Sequence, residues 1–233
     1  MNAGTVSSLW RYPVKSLLGE ACRALEIDTR GIKGDRLFAL RDGDGKFGSG
    51  KNSRRFRGID GLFTLRAKYS GDCLEIAFPD GRQMRGDDPR VPGILSEVLG
   101  VSVTLAREAE ISHFDNGAVH LMSTAALAWL RSRLPDSRID ERRFRPNIVV
   151  TTPGIGQIER SWIGRTLRIG GEVKLRVTET TERCRMTTIE QLDLPDDPNV
   201  LRCLAQQSEM QFGVYAEVAE AGRIAHGDPV VID

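Results

Sequence analysis

The sequence lacks the paired cysteines that hold zinc ions, iron–sulfur clusters or disulfide frameworks. Its four cysteines, Cys22, Cys73, Cys184 and Cys203, are scattered over 233 residues with no C-x-x-C pair. This spacing disfavours all three kinds of site, and we expect the four thiols to be reduced. The three histidines are also too far apart along the chain to indicate a metal triad.

Several catalytic signatures are missing as well. The chain has no glycine-rich phosphate loop, no G-x-S-x-G nucleophile elbow and no H-E-x-x-H helix. Asp42-Gly43-Asp44-Gly45 begins like a calcium loop, but Lys46 stands at the next ligand position and Phe47 at the obligatory glycine. We therefore interpret this segment as a hairpin turn.

Neither sign of charge is in excess. The sequence has 33 Lys and Arg against 32 Asp and Glu, a net charge of +1, which disfavours a general nucleic-acid footprint and a polybasic membrane anchor. The first ten residues lack the basic leader and apolar run of a signal peptide, and no later run is long enough to span a bilayer. The sequence predicts a cytoplasmic protein that binds neither nucleic acid nor membranes.

Short β-branched or alternating runs, separated by turn residues, make up most of the chain. The spacing predicts helices over 94–100, 123–134 and 199–207, with Ser123 as an N-cap and Gly100 as a stop signal. This pattern favours a mainly β fold with a few helices (α+β) over alternating βαβ units. We expect two closely apposed β-barrel-like domains, over residues 1–105 and 106–233, with the 123–134 helix packed on the second. The predicted strands cover 5–12, 24–28, 36–40, 62–67, 73–78, 101–105, 147–151, 166–169, 173–177, 213–218 and 229–232.

Cys184 is the most informative of the cysteines, because it follows the strand-like run Leu175-Arg176-Val177-Thr178. An isolated cysteine is ordinarily a small buried hydrophobe. Here Arg183 and Arg185 flank the thiol, and their positive charges would favour a thiolate that can ligate a soft metal. The residues alone indicate a β-rich domain with one candidate reactive thiol. They leave Lys15 as an ordinary surface amine.

Several segments occur together in an order that resembles the MOSC family. This family includes the C-terminal domain of molybdenum-cofactor sulfurases, the mitochondrial amidoxime-reducing component and its bacterial relatives, and the resemblance covers nearly the whole chain. Two segments are similar to the family's N-terminal β-barrel module, Trp10-Arg11-Tyr12-Pro13-Val14-Lys15-Ser16 and Gly34-Asp35-Arg36. The others are similar to the MOSC domain itself, namely His120-Leu121-Met122-Ser123, Arg143-Phe144-Arg145-Pro146-Asn147-Ile148-Val149, Arg183-Cys184-Arg185-Met186-Thr187-Thr188, Gly213-Val214-Tyr215 and Gly227-Asp228-Pro229-Val230.

The resemblance implies a site for a molybdenum cofactor (molybdopterin), with Cys184 as the metal ligand. A soft, dithiolene-bound metal suits a thiolate, and a terminal phosphate needs fixed cationic and hydroxyl donors. Pyridoxal phosphate binding is a second cofactor that the domain resemblance allows. The positions that match cofactor-holding residues are Lys15, Ser16, Arg36, Arg145 and Asn147, and we expect them to converge with Cys184 on one cleft between the domains. For Arg36 and Arg145 the residues alone favour structural ion pairs.

Asp115 corresponds to an acidic residue near the metal in the amidoxime-reducing relatives, which makes it a candidate catalytic residue beside Cys184. Asn116 and Gly117 stand where those relatives have a hydroxyl-bearing pair. The substrate contacts of that pair therefore cannot be transferred to this chain. Some bacterial relatives contain a fused ferredoxin-like domain, whereas this chain ends at Asp233. Electrons are therefore expected from a separate donor, a ferredoxin-like protein, a flavoprotein or a cytochrome.

Three functions remain open at this point. The first is an oxidoreductase that reduces N-hydroxylated or N-oxygenated small molecules at molybdenum. The second is a sulfur carrier or cofactor-binding module in which Cys184 holds a persulfide. The third is a family member that has lost its cofactor and serves as a binding scaffold.

Overall fold

The computed structural model describes all residues, 1–233, and consists mainly of strands. The α-helices are α1 (Val91–Leu99), α2 (Thr124–Arg133) and α3 (Pro198–Ser208). Short 3-10 helices cover Leu62–Thr64, Glu141–Arg143, Ile158–Trp162 and Arg185–Thr187. The strands are β1 (Asn2–Arg11), β2 (Glu20–Cys22), β3 (Ala24–Asp28), β4 (Gly31–Ile32), β5 (Phe38–Arg41), β6 (Phe47–Ser49), β7 (Phe56–Gly58), β8 (Arg66–Ser70), β9 (Cys73–Ala77), β10 (Gln83–Arg85), β11 (Thr104–Arg107), β12 (Val119–Ser123), β13 (Ile148–Thr151), β14 (Thr166–Ile169), β15 (Val173–Glu182), β16 (Gln211–Glu220), β17 (Gly222–Ala225) and β18 (Pro229–Ile232).

Seven of these strands close into a barrel. They follow the order β13-β12-β16-β15-β14-β18-β1, and β1 pairs back with β13. All neighbours are antiparallel except β12 and β13. Inward-facing side chains such as Val6, Leu121 and Val214 fill the interior together with Trp162. Closure leaves the barrel strands without a free edge, and the predicted mainly β fold with a few helices is confirmed.

The N-terminal half adds two small sheets around a second apolar core. Their orders are β11-β5-β6-β7 and β10-β9-β8, and Leu65, Ile76 and Leu95 are fully buried between them. The two halves are closely apposed, because β1 lies in the barrel while β17, from the end of the chain, pairs with β3. The predicted domain boundary at residue 105 falls within β11 and stays a prediction.

Helix α2 packs on the barrel as predicted. The Ser123 hydroxyl caps it by accepting a hydrogen bond from the Ala126 amide at 3.0 Å. Leu127 and Leu130 are buried in a third core that α2 shares with α3 and with Phe212 of β16. No helix in the structure combines the length and the apolar character needed to cross a lipid bilayer.

The sequence-based assignments need correction at residues 62–67 and at the strands that were not predicted, which are β2, β4, β6, β7, β10, β12 and β17. Residues 62–67 do not form one strand, since Leu62–Thr64 is a 3-10 turn and β8 begins at Arg66. Gly61 adopts φ 79°, and the Thr64 hydroxyl donates to its carbonyl at 2.7 Å, which closes the turn. Strand β12 was not predicted, because all five of its residues are buried and the run has no polar alternation.

Candidate functional site

A cavity of about 480 Å³ is lined by residues from barrel strands β15 and β16 and from strands β6 and β7 of the N-terminal half. The structure brings most of the predicted site residues to this cavity. Those that line it are Lys15, Ser16, Arg36, Asp115, Arg145 and Cys184. Asn147 is the exception.

Lys15 lies in a tight turn after β1 and is only 4% exposed. Its Nζ donates hydrogen bonds to the His113 carbonyl at 2.8 Å and to Asp115 Oδ1 at 2.7 Å. Burial lowers the pKa of Lys15, and the Asp115 carboxylate opposes that effect. For Asp115, partial desolvation at the cavity would raise the pKa, but the charge and hydrogen bond of Lys15, with smaller contributions from Arg36 and Lys51, together outweigh it and the pKa is lowered. Lys15 is therefore not the surface amine that the residues alone suggested.

Three of the predicted cofactor residues have strained backbones. Ser16, Arg36 and Arg145 have φ values of 64°, 50° and 56°, in the left-handed region that side chains other than glycine rarely occupy. These residues come from separate parts of the chain and meet in one cavity. Strain of this kind persists where the surrounding structure enforces it, and it is concentrated at functional sites.

Arg36 forms the ion pair that the residues alone favoured. Its Nη1 donates to the buried carboxylate of Asp35. Its Nη2 lies 3.3 Å from the Arg145 carbonyl, and its Nη1 lies 3.5 Å from Asn147 Oδ1. Arg36 thus lines the cavity with its charge already matched by one carboxylate.

Arg145, in contrast, forms no ion pair. Its side chain is buried, with Nη1 donating to the Leu17 carbonyl at 2.6 Å and the guanidinium 4.2 Å from the centre of the Tyr12 ring. Nη2 is buried without a hydrogen-bond partner. Burial, with a smaller contribution from Arg36, lowers the pKa of Arg145 to about 10. The expected structural ion pair of Arg145 is absent, and one N–H group faces no protein acceptor.

Arg183 lines the same cavity, a position that the sequence did not reveal. It is 9% exposed, its Nη2 donates to the Phe144 carbonyl at 2.6 Å, and its Nε is buried without a partner. Arg185 is exposed and lies outside the cavity lining. The backbone enters a 3-10 turn at Cys184, and this change of direction, which the flanking charges do not encode, sends the two arginines apart.

Cys184 is half-buried and faces the cavity. Its carbonyl accepts hydrogen bonds from the Thr187 amide and the Thr187 hydroxyl, both at 3.0 Å. Met186, in the same turn, accepts a hydrogen bond from the Gly50 amide through its sulfur at 3.0 Å. The thiol is therefore held on a turn that is fastened to both halves of the protein.

His120 and Tyr215 also line the cavity and were not predicted as site residues. The His120 ring is buried, with Nδ1 3.3 Å from the Arg145 carbonyl and Nε2 3.5 Å from Arg183 Nη1. Because a carbonyl oxygen can only accept a hydrogen bond, we assign the ring proton to Nδ1. Burial and the Arg183 charge hold the pKa of His120 well below its usual value, so the ring is neutral. An isolated histidine in a buried strand gives no sequence signal for such a role.

Asn147 lies behind the cavity rather than on its surface. Its Nδ2 donates to the Trp10 carbonyl at 3.2 Å, and its Oδ1 accepts from the His120 amide at 3.1 Å. Oδ1 also lies near Arg36. The side chain therefore links β1, β12 and Arg36, and its predicted contact with a cofactor stays a prediction.

The cavity has a cationic floor and an acidic mouth. Lys15, Arg145 and Arg183 are buried, whereas the carboxylate-bearing residues of the lining, Asp115 and two glutamates of β15, are exposed. A buried guanidinium without a carboxylate is costly unless a ligand compensates it. The unpartnered N–H groups of Arg145 and Arg183 therefore fit an anionic group such as a phosphate. The Cys184 thiol fits a soft metal. These residues are compatible with a molybdenum-pterin cofactor.

The fold and the cavity define a β-barrel protein whose cationic cavity contains one cysteine. Comparison with family models matches the MOSC domain over residues 108–231 and the MOSC N-terminal beta barrel domain over residues 3–130. The chain belongs to the MOSC family, as its motifs predicted.

Relatives and solved structures agree with this assignment. Mitochondrial amidoxime reducing component 2 of Bos taurus is 25% identical, and the match covers 97% of this chain and 82% of the relative. Mitochondrial amidoxime-reducing component 1 of Homo sapiens is also 25% identical, over 98% and 83%. The crystal structure of the YuaD protein from Bacillus subtilis matches with a TM-score of 0.57 over 100% of this chain and 96% of that one. At 16% identity it supports the fold alone.

Proposed function

We propose that this protein is a molybdenum-cofactor-dependent reductase of N-hydroxylated or N-oxygenated small molecules. The observation that carries the proposal is the meeting of the Cys184 thiol with two buried, unpaired guanidiniums in one cavity. The names of the relatives, amidoxime-reducing components, support the reaction class. At 25% identity they support it as a class and leave the individual substrate open.

Different residues of the cavity would bind different parts of the cofactor. Arg145 and Arg183 would bind its anionic groups from the floor, with Lys15 and Ser16 beside them. Cys184 would ligate the metal. When bound, the cofactor supplies the two-electron redox centre at which the N–O bond is cleaved. Asn147 acts from behind by fixing Arg36 and the strand that carries His120.

The overall reaction converts R–NH–OH, two electrons and two protons into R–NH2 and water. The electrons come from a separate donor protein, for which a ferredoxin-like protein, a flavoprotein and a cytochrome are the candidates. Asp115 is exposed at the mouth, and Lys15 keeps it ionised. It is therefore suited to accept a hydrogen bond from the substrate's N–H or O–H and to orient the N–O bond. A cytoplasmic location is part of the proposal.

The test uses protein produced in a host that synthesises molybdenum cofactor. We expect the purified protein to contain molybdenum and to reduce an N-hydroxylated substrate when given an artificial electron donor. Cys184→Ser should abolish the reduction, because a hydroxyl replaces a soft thiolate poorly. Cys73→Ser is the matched control, since Cys73 lies in β9 outside the cavity.

The same experiment separates the enzyme from a sulfur carrier. A carrier would accept sulfur from a cysteine desulfurase onto Cys184 whether or not cofactor is bound, and would show no reductase activity with any donor. Protein that holds molybdenum, fails to reduce every N-oxygenated compound offered and takes up this sulfur would replace the reductase with the carrier.

A further inference from the structure

Strand β15 is irregular where it passes the cavity. Its pairing with β16 shifts register between Val177 and Glu179, and again between Thr180 and Glu182. In a regular strand, residues three apart point to opposite faces. The second irregularity falls between Glu179 and Glu182, and both side chains line the same cavity.

These two glutamates have no cationic partner. The other carboxylate at the mouth, Asp115, is matched by Lys15 at 2.7 Å. Lys51 lies on the Asp115 side, where it helps to lower the pKa of that carboxyl and sits 5.3 Å from the centre of the Phe56 ring. The β15 side of the mouth therefore carries two unneutralised carboxylates above a cationic floor.

Asn116 fixes the orientation of one of them. Its Nδ2 donates to Glu179 Oε1 at 2.5 Å, and Asn116 itself lines the cavity. Gly117 allows the backbone next to Asn116 to lie directly against Tyr215, because a Cβ at position 117 would lie 2.5 Å from the Cβ of Tyr215. The Asn116-Gly117 pair thus supplies an amide that aims Glu179 at the opening.

We propose that Glu179 and Glu182 select ligands that carry a positive charge next to the reducible N–O group, and that Asn116 positions Glu179 for this selection. The floor cations are suited to an anionic group, and a substrate that enters the cavity would pass the two exposed carboxylates at its mouth. A cation is attracted at this position and an anion is repelled. The identity of the reaction rests on the function proposed above, whereas the charge preference is a property of the mouth.

The test is a binding titration of cofactor-loaded protein with three ligands of the same shape: benzamidine, a cation; benzamide, which is neutral; and benzoate, an anion. We expect wild-type protein to bind benzamidine most tightly and benzoate least. Glu179→Gln and Glu182→Gln should each raise the Kd of benzamidine by about threefold to tenfold and leave that of benzamide unchanged. Added salt should reduce the preference.

Glu217→Gln is the matched control. Glu217 lies on β16, pairs with Arg176 at 2.5 Å outside the cavity, and its replacement changes the net charge equally. Equal benzamidine affinity in the double variant Glu179→Gln/Glu182→Gln and in wild type would overturn the inference, as would an equal effect of Glu217→Gln.

A kinetic arm keeps the two proposals distinguishable. The kcat/KM of two N-hydroxylated substrates of equal size, one cationic and one neutral, should fall selectively for the cation in the glutamate variants. If no N-oxygenated compound is reduced but benzamidine selection persists and depends on both glutamates, the reductase is wrong and the charge selection stands. If both substrates are reduced and neither selectivity nor binding depends on the glutamates, the reductase stands and the selection is wrong.

Discussion

The Nζ atom of Lys15 lies 2.7 Å from Oδ1 of Asp115, although 100 residues separate them in the chain. This ion pair joins the turn after β1 to the segment that leads into β12. One partner is buried and the other, 62% exposed, faces the mouth of the cavity. The pair therefore connects the floor of the site with the place where substrate enters.

Asp115→Asn should lower kcat/KM and leave the molybdenum content unchanged. The variant removes a carboxylate at the mouth but keeps the cationic floor, and it should cost about 1–3 kcal/mol of unfolding free energy because the buried Lys15 ammonium loses its carboxylate partner. Steady-state kinetics together with metal analysis check this, with Asp44→Asn at an exposed hairpin turn as the control. Loss of molybdenum in Asp115→Asn would show that the residue holds the cofactor instead.

Arg145→Met should weaken cofactor retention and cost the cofactor-free protein no more than about 1 kcal/mol of unfolding free energy, through loss of the hydrogen bond to the Leu17 carbonyl. The substitution removes a buried charge that has no carboxylate partner, and such replacements are often neutral or stabilising. Cofactor affinity should fall by about 10- to 100-fold through the loss of a charge-assisted hydrogen bond.

Arg143→Met is the contrasting variant. Arg143 is buried two residues away, but its guanidinium contacts the carbonyls of Arg138, Thr187 and Pro195. Its loss should cost about 2–3 kcal/mol of unfolding free energy, because three carbonyls lose a donor, one of them on buried Thr187. Denaturant unfolding of both cofactor-free variants checks the pair, and an Arg145→Met protein as unstable as Arg143→Met would contradict the functional assignment of Arg145.

Gly213→Ala should disturb the site through His120. Gly213 has φ 86°, and a Cβ there would lie 2.4 Å from His120 Nε2. Gly164 has a similar φ of 79° with no atom near its hypothetical Cβ, so Gly164→Ala measures the backbone cost alone, about 1 kcal/mol. We expect Gly213→Ala to cost about 1–3 kcal/mol more and to impair reduction. Equal unfolding free energies for the two variants would show that the His120 side chain moves aside at no cost in stability.

The contribution of Glu159 to the unfolding free energy should fall as the pH rises from about 4.5 to about 7, whereas that of His120, whose pKa is lowered, should rise. Glu159 is fully buried, and burial raises its pKa from 4.5 to about 7, although the Ser123 hydroxyl donates to it. The folded protein therefore holds a proton that the unfolded chain releases above pH 4.5, so stability is lost until the folded carboxyl also ionises near pH 7. The loss should be about 3 kcal/mol. Glu159→Gln should remove this loss, so that the unfolding free energy of the variant rises relative to that of the wild type over this range, and an unchanged slope in the variant would contradict the assignment.

Much of the fold was predictable, because local signals and tertiary packing agree. The Ser123 cap and the apolar spacing of Leu127 and Leu130 define α2, and turn residues separate most of the strands. Strand β12 was missed because a strand buried throughout has no alternation, and Leu62–Thr64 because Gly61 and Thr64 close a turn within an apolar run.

The candidate site was much less predictable from the sequence than the fold was. Lysine is usually exposed, and the partners that bury Lys15 lie about a hundred residues away. Only the family motifs pointed to Lys15 and Arg145. They did not distinguish Arg183 from Arg185, since that difference depends on a single turn at Cys184. They also did not show that Asn147 acts from behind the cavity, because its contacts join strands that are distant in sequence.

The most direct test of the central claim, that Cys184 ligates a cofactor metal, is the rate at which iodoacetamide alkylates this thiol. The rate is followed peptide by peptide in cofactor-loaded and in cofactor-free protein, with half-buried Cys73 as the internal reference. A metal ligand should be protected, so we predict slow alkylation of Cys184 in the loaded protein, faster alkylation in the cofactor-free protein, and no difference at Cys73. Equal rates at Cys184 in both forms, in protein shown to contain molybdenum, would contradict the claim.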